Sequence, residues 1–374
     1  MRTLRLKDLY DRFRDPATIR GLAALIAEDA KKLEAPLNIM EVCGGHTHTI
    51  MKYGLKQLLP ENVNFVHGPG CPVCIMPKER IDHAIALANI EGVILCTLGD
   101  MIRVPGSRSS LAKERAKGCD VRSLYSPMDL TEIAKNNPDK KVVYFAIGFE
   151  TTTPMTAAVI KKRVESGLKN LYFHINHVLV PPPMHTLMAD GRAKIDAFIG
   201  PAHVSVITGS KIYEPFCERY GTPVVVSGFE PVDVMHSIAM IVRQKIEGRA
   251  EVEVEYSRSV SREGNVAAQR MIEETMQVRD SFRWRGIGDI PKSALRLRDE
   301  YADLDAEKLF AEYLDNEPID DHKLCICGDI LKGLAKPYDC KVFGKACTPD
   351  TPLGSCMVSS EGACNAYYRF KGVE

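Results

Sequence analysis

The sequence predicts an α/β protein: two parallel-sheet α/β domains facing a cleft, followed by a cysteine-rich C-terminal region. Three observations carry that expectation. Short apolar runs rich in Val, Ile and Phe alternate with longer amphipathic stretches, the pattern of strands buried on both faces between helices. Glycine-rich polar turns recur just after those apolar runs. Six of the 12 cysteines fall within residues 325–364, where an even spread would leave about one, so that end has a chemistry of its own.

Taken in order, a helix is expected over residues 16–33 and strands over 37–42 and 63–66. A helix over 77–89 and a strand over 93–98 follow. Beyond a helix at 131–136 come a strand at 142–149, a helix at 154–166 and strands at 171–175, 197–199 and 224–226. A helix over 231–247 completes the alternation. Pro16, Pro77, Pro154 and Pro231 stand at first-turn positions, where a missing N–H costs nothing. The run NNPDKK suggests a domain boundary near residue 137, and Gly248–Arg249 suggests a second. The expected division is 1–137, 138–248 and 249–374. Residues 251–256 alternate as an antiparallel or edge strand does, and 265–278 read as a helix. From about Lys323 onward Gly, Pro and Cys dominate and periodicity disappears, so something must staple the segment. No tandem repeat is visible, although VVYFAIGFETT and VVVSGFEP share a strand-then-GFE pattern.

Composition narrows the function classes. Lys and Arg total 49 against 49 Asp and Glu, which removes the basic footprint of a dedicated nucleic-acid binder. At 45% hydrophobic and 26% charged residues the chain can bury a sizeable core, and one tryptophan argues against a stacking platform. The N-terminus is charged throughout, and no run approaches the roughly 18 apolar residues of a membrane span. A cytoplasmic protein with no membrane partner is expected, in which clustered cysteines bind metal or do redox work.

The polar clusters follow the strands: CGGHTH, GPGCPVC, LGD, GFETT, GPAHVS and SGFEP. Ligand sites of open parallel sheets lie at the carboxyl ends of strands, so these turns point to a cleft. In CGGHTH, Cys43 and His46 are competent soft-metal ligands, and the two glycines let the backbone approach a ligand. The alternative is a buried cysteine with a capping histidine and threonine, while His48 reads equally well as a surface residue. Cys71 and Cys74 form a CxxC that can close a disulfide or bind one metal, and a following helix would lower the first thiol's pKa. Half a zinc site looks identical, but no second CxxC exists. Asp100, Glu150 and Glu230 at strand ends can orient a ligand, move protons or cap the next helix, and capping is expected for Glu230. The free N–H groups of GFETTTP suit an anion, yet no P-loop or GxGxxG supports a conventional nucleotide site. Cys96 reads as core, and Cys119 and Cys217 have no partner nearby.

At the C-terminal end, Cys325 and Cys327 are separated by one residue; gaps of twelve, six, eight and seven lead to Cys340, Cys347, Cys356 and Cys364. Four thiolates serve a cubane iron–sulfur cluster or an all-cysteine zinc. Two remain, and beside an electron-carrying cluster they would be a redox pair. A zinc staple with two free thiols is the bland alternative. The spacing is not the CxxxCxxC of radical S-adenosylmethionine enzymes.

On CGGHTH, GPGCPVC, GFETT, GPAHVSVITG, VVVSGFEPVD and the terminal CICGDILKGLAKPYDCKVFGKACTPDTPLGSCMVSSEGAC, essentially the whole chain resembles the hydrogenase formation/maturation protein HypD family. That resemblance implies a scaffold for the Fe(CN)2(CO) unit of [NiFe]-hydrogenase, a redox-active maturation factor rather than a free-standing enzyme. Its partners would be a HypC-type chaperone and a HypE-type cyanide donor, supplied from carbamoyl phosphate by HypF. It further implies Cys43 as ligand of the Fe(II) that takes CN and CO, with His46 a neighbour of unassigned role. Cys71 and Cys74 would be the cleft thiols. Cys325, Cys340, Cys347 and Cys364 would hold a [4Fe–4S] cluster, with Cys327 and Cys356 as a second thiol pair. That division resembles ferredoxin–thioredoxin reductase, and a protein-disulfide reductase of that type is the rival reading. A zinc-stapled binding module is the third.

Overall fold

In the computed structural model, which describes residues 10–370, apolar periodicity and local capping account for most elements. The chain begins with α1 (Pro16–Ala30), β1 (Leu37–Glu41), α2 (Gly44–Lys52), β2 (Val63–His67), α3 (Lys78–Ala88), β3 (Val93–Leu98), α4 (Leu111–Ala116) and β4 (Val121–Leu124). It continues through α5 (Leu130–Lys135), β5 (Lys141–Gly148), α6 (Thr153–Glu165), β6 (Leu171–His177), α7 (Pro181–Asp190), β7 (Ala197–Pro201), α8 (Ala202–Thr208) and α9 (Glu214–Tyr220). Next come β8 (Val224–Ser227), α10 (Pro231–Ile246), β9 (Val252–Val254), α11 (Val266–Thr275) and β10 (Met276–Val278). The last part holds β11 (Ser281–Trp284), β12 (Gly288–Pro291), β13 (Leu295–Leu297), α12 (Ala306–Leu309), α13 (Cys327–Leu331) and α14 (Ala363–Arg369).

Caps explain where the long helices start. Asp15 accepts the Thr18 N–H at 2.8 Å ahead of Pro16, the first residue of α1. Glu230 caps α10 in a reciprocal box with Asp233, as expected of it, and pairs with Arg14.

Two parallel sheets result. One has the order β2-β1-β7-β8-β9 and the other β4-β3-β5-β6, with every pairing parallel. The chain therefore builds two strands of the larger sheet, leaves to make the whole smaller sheet, and returns to finish the first. Residue 137 falls between β4 and β5, inside the smaller sheet, so segments 1–137 and 138–248 do not correspond to the two sheets. Pairing of β3 with β5 overrides the polar run between them. Residues 252–254 do form an edge strand, but a parallel one. The helix expected over 265–278 ends at Thr275; residues 276–278 instead pair with β13.

The facing sides of the two sheets share one core. Met40, Phe198 and Val226 enter it from the larger sheet and Val143, Phe145 and Ile147 from the smaller, with Trp284 and Cys356 of the C-terminal region. Ile26 of α1 and Ile238 of α10 cover the outer face of the larger sheet, and Ile160 of α6 covers that of the smaller. The fold is thus α/β with two parallel sheets, and the C-terminal cysteines gather at their junction. Among the described residues no helix is long and apolar enough to cross a membrane.

Candidate functional site

Cys43 lies where β1 ends and α2 begins, as the N-terminal cap residue with extended backbone (φ −153°, ψ 126°). Close packing dictates the glycines around it. A Cβ on Gly44 would sit 2.1 Å from the Glu361 carbonyl oxygen, and one on Gly45 would sit 2.9 Å from the Phe229 ring. A Cβ on Gly70 would fall 2.2 Å from the Cys43 nitrogen, so GPGC lies directly on CGGH; the Gly44 N–H donates to Gly70 O at 3.2 Å. The Cys43 sulfur is 4.0 Å from His203 Nε2, and the residue is only 4% exposed. Burial pushes its thiol up and Glu361 adds to this, while the Gly45 and His46 N–H groups at the start of α2 act the other way.

Behind Cys43 lies a buried polar chain. Glu41 accepts the Cys43 N–H at 3.3 Å, the Thr47 hydroxyl at 2.5 Å and His67 Nδ1 at 2.6 Å. The other His67 nitrogen, Nε2, is 2.8 Å from the Tyr367 hydroxyl of α14. Burial raises the Glu41 carboxyl and His67 opposes the shift. The fixed backbone of Cys43 is thereby tied to the helix that carries Cys364.

His46 is stacked on Phe229 with ring centroids 4.6 Å apart. Its Nε2 faces the carbonyls of Gly228 (3.0 Å) and Ser227 (3.3 Å), which assigns the proton there. Nδ1 has no partner. Burial lowers the ring to about 4, so it is neutral, with a free lone pair suited to a metal.

Across the cleft, Asp100 follows β3 and accepts the Ser359 hydroxyl at 3.0 Å. Glu150 follows β5. One of its oxygens accepts the Val180 N–H at 2.9 Å, the other has no partner, and burial raises the group to about 7. Glu150 also bears on the buried Tyr213, which feels Cys43 in turn. Gly70, Asp100, Phe149, Thr151, His203 and Glu361 line a cleft of about 490 Å³ at the carboxyl ends of strands from both sheets.

The remaining thiols gather at the other side of GPGC. Cys71 and Cys74 occupy the turn between β2 and α3, with the Cys74 N–H donating to the Cys71 sulfur at 3.3 Å. Cys74 meets both Cys71 and Cys356; Cys356 meets Cys327; Cys327 meets Cys325 and Cys364. Cys347 lies in the field of Cys325 and Cys327 and accepts the Leu353 N–H at 3.4 Å. Cys340 reaches Leu324 O, beside Cys325, at 3.8 Å. The Ser355 hydroxyl, next to Cys356, donates to Cys74 O at 2.8 Å and joins the two groups. The helix after this turn, α3, begins at Lys78, as its expected start at Pro77 implied. Burial raises Cys74, whereas thiol hydrogen bonds from Cys327 and Cys74 lower Cys356 to about 6.

Cys325, Cys347 and Cys364 lie near Cys327, with Cys340 beside Leu324, and sulfur-only donors of this kind suit an iron–sulfur cluster. Among the described residues no three side chains are disposed to hold one metal ion. A cubane, however, spaces its thiolates more widely than a single ion does.

Sequence motifs thus located Cys43, His46 and the thiols. They did not single out Glu41, His67, His203, Glu361 or Tyr367, although three of these stand within or beside quoted motifs. Cys96 and Cys217 are buried away from the site, as expected, and Cys119 is half-buried beside Asn89.

A family model described as the hydrogenase formation hypA family (HypD) matches residues 17–371. The chain is 53% identical over 366 residues to the hydrogenase maturation factor HypD of Azotobacter vinelandii, covering 96% of each chain. It is 48% identical over 373 residues to HypD of Cupriavidus necator, covering 97% of this chain and 98% of the relative. With HypD of Escherichia coli K12 the identity is 43% over 368 residues, again 97% and 98%.

Proposed function

Because the chain belongs to the HypD family of hydrogenase maturation factors, we propose that it is the cytoplasmic scaffold on which the Fe(CN)2(CO) unit is assembled. The partners in this reading are a HypC-type chaperone and a HypE-type cyanide donor. Cys43 binds the iron to be modified, and the free Nδ1 of His46 lies in the same motif. Asp100, Glu150 and His203 line or flank the cleft into which the small ligands are delivered.

The observation that carries the reading is the continuity of thiols from the GPGC turn to the C-terminal module: Cys71, Cys74, Cys356, Cys327 and then Cys364. Cys325, Cys340, Cys347 and Cys364 would hold a [4Fe–4S] cluster, which supplies single electrons when bound. The chain's own residues then move reducing equivalents as thiol–disulfide exchange between Cys327/Cys356 and Cys71/Cys74. Cys356 suits the attacking role because its neighbours favour the thiolate.

Cys43→Ala abolishes the cyanide and carbonyl infrared bands of the anaerobic complex with its chaperone, while the cluster's visible absorption persists. Bands at full strength would remove Cys43 as ligand. The same run of thiols also suits a protein-disulfide reductase, and reduction of a model disulfide in the absence of any maturation partner distinguishes it. Iron and acid-labile sulfide analysis of the anaerobic protein tests both, since zinc alone contradicts each.

A further inference from the structure

A buried arginine that none of the sequence motifs contains stands beside the C-terminal sulfurs. Trp284, at the end of β11, is wholly buried in the shared core and pairs with Gly288 of β12. Arg285, Gly286 and Ile287 therefore form the tip of this hairpin. The tip is held from two sides. The Arg285 N–H donates to Ile75 O at 2.7 Å, one residue beyond Cys74. Gly286 adopts the left-handed region (φ 73°), and a Cβ there would sit 2.4 Å from Gly328 Cα, one residue beyond Cys327. Arg285 is thereby fixed between the GPGC turn and the start of α13.

Its side chain is 3% exposed, with Nη2 lying 2.5 Å from Asp321 Oδ1. Even so, none of the three guanidinium nitrogens has a well-directed hydrogen bond among the described residues. A guanidinium carries five N–H donors, and burying them unused is costly, so the position calls for a further acceptor. What else faces it is sulfur. Cys325 lines the same cavity of about 330 Å³ as Arg285 and Asp321, and after Asp321 the next charge partners of the guanidinium are Cys327 and Cys325. The Cys325 N–H donates to His322 O at 2.8 Å, so Asp321 and Cys325 flank one turn. Lys78, Arg283 and Lys332 also line the cavity, but they are partly exposed and water screens them. Arg285 is the buried cation of this site.

We propose that Arg285 is a positioning residue for the group held by Cys325, Cys340, Cys347 and Cys364: its guanidinium donates to sulfur there and its charge favours the more reduced state, with Asp321 as the counter-charge that limits the effect. The inference rests on the reading of those four cysteines as cluster ligands. Adding one electron makes a thiolate-bound iron–sulfur cluster more negative by one charge. A buried cation beside it therefore stabilises the reduced form, and hydrogen bonds to its sulfurs act in the same sense. Removing the Arg285 charge lowers the reduction potential, whereas freeing that charge from Asp321 raises it.

The test is an anaerobic redox titration of the full chain with dithionite as reductant, following the cluster's visible absorption. At a potential fixed near the parent's midpoint, Arg285→Gln should lower the ratio of reduced to oxidised cluster about ten-fold, a downward shift of about 59 mV for one electron. Asp321→Asn, which leaves Arg285 uncompensated, should raise the same ratio more than about two-fold. A pair that served only the fold would weaken stability in both variants and leave the potential in place. With the cluster intact, any pattern other than these opposite shifts overturns the proposal. Where Arg285→Gln fails to keep its cluster, the direction of the Asp321→Asn shift decides alone. Iron and acid-labile sulfide measured on each sample keep the two readings apart. A parent chain without a cluster removes the cluster reading and this role with it, whereas a full cluster with unmoved potentials removes only the role of Arg285.

Discussion

Glu150 shows how one buried side chain can set a pH dependence. Its carboxyl is raised from 4.5 to about 7 by burial, with one oxygen on the Val180 N–H and the other unpartnered. Between those two values the folded chain holds a proton that the unfolded chain has released. Stability contributed by this group is therefore full below about 4.5 and declines as pH rises through about 7. Glu150→Gln keeps the Val180 bond and removes the charge. It should raise stability at pH 8 by up to roughly 3 kcal/mol and give no gain at pH 4. Thermal unfolding at the two pH values checks this, and an equal gain at both would contradict the burial argument. The role of Glu41 was hidden at this scale, because its partner His67 stands 26 positions further along the chain and His67's own partner, Tyr367, a further 300. Cys43 and Cys71 were visible because their flanking glycines and cysteines are adjacent in sequence.

Among the elements, α12 is short but strongly pinned. Glu307 takes two bonds from Arg80, at 2.6 and 2.9 Å, and a further pair from Arg279. Burial opposes its charge, yet Arg80, His174 and Arg279 hold the carboxyl well below the usual range. Removing it leaves two largely buried guanidinium groups uncompensated. Glu307→Ala should cost roughly 3–5 kcal/mol in a urea titration, whereas Glu274→Ala, which breaks an exposed pair with Lys161, should shift the midpoint little. Equal effects would mean that the arginines find other partners. Long periodic elements such as α10 and β5 were legible from apolar spacing and first-turn prolines. The helical state of CGGHTH was not, since glycine is a poor helix former and contacts with Phe229, Glu361, Glu41 and GPGC hold α2 in place. The switch from helix to strand at Met276 was equally hidden, because its strand partner in β13 is Leu297, 21 residues away.

For the whole molecule the consequence lies in connectivity. The larger sheet joins β1 and β2 to strands that follow the entire smaller sheet. A fragment of residues 1–137 holds two incomplete sheets, neither of which can bury its faces. It should show little ordered structure by far-ultraviolet circular dichroism and no cooperative thermal transition. A cooperative transition would show that contiguous sequence suffices to build a folding unit there.

The sequence by itself determined the α/β class, the positions of most strands, the reactive residue types and the concentration of thiols at one end. All of these follow from local spacing and composition. Only the tertiary structure decided which strands share a sheet, that Cys74 meets Cys356, and that Glu361 packs against Gly44 beside Cys43. These are contacts between segments far apart in the chain, selected by burial of a shared core and by hydrogen-bond satisfaction, and no local pattern encodes them.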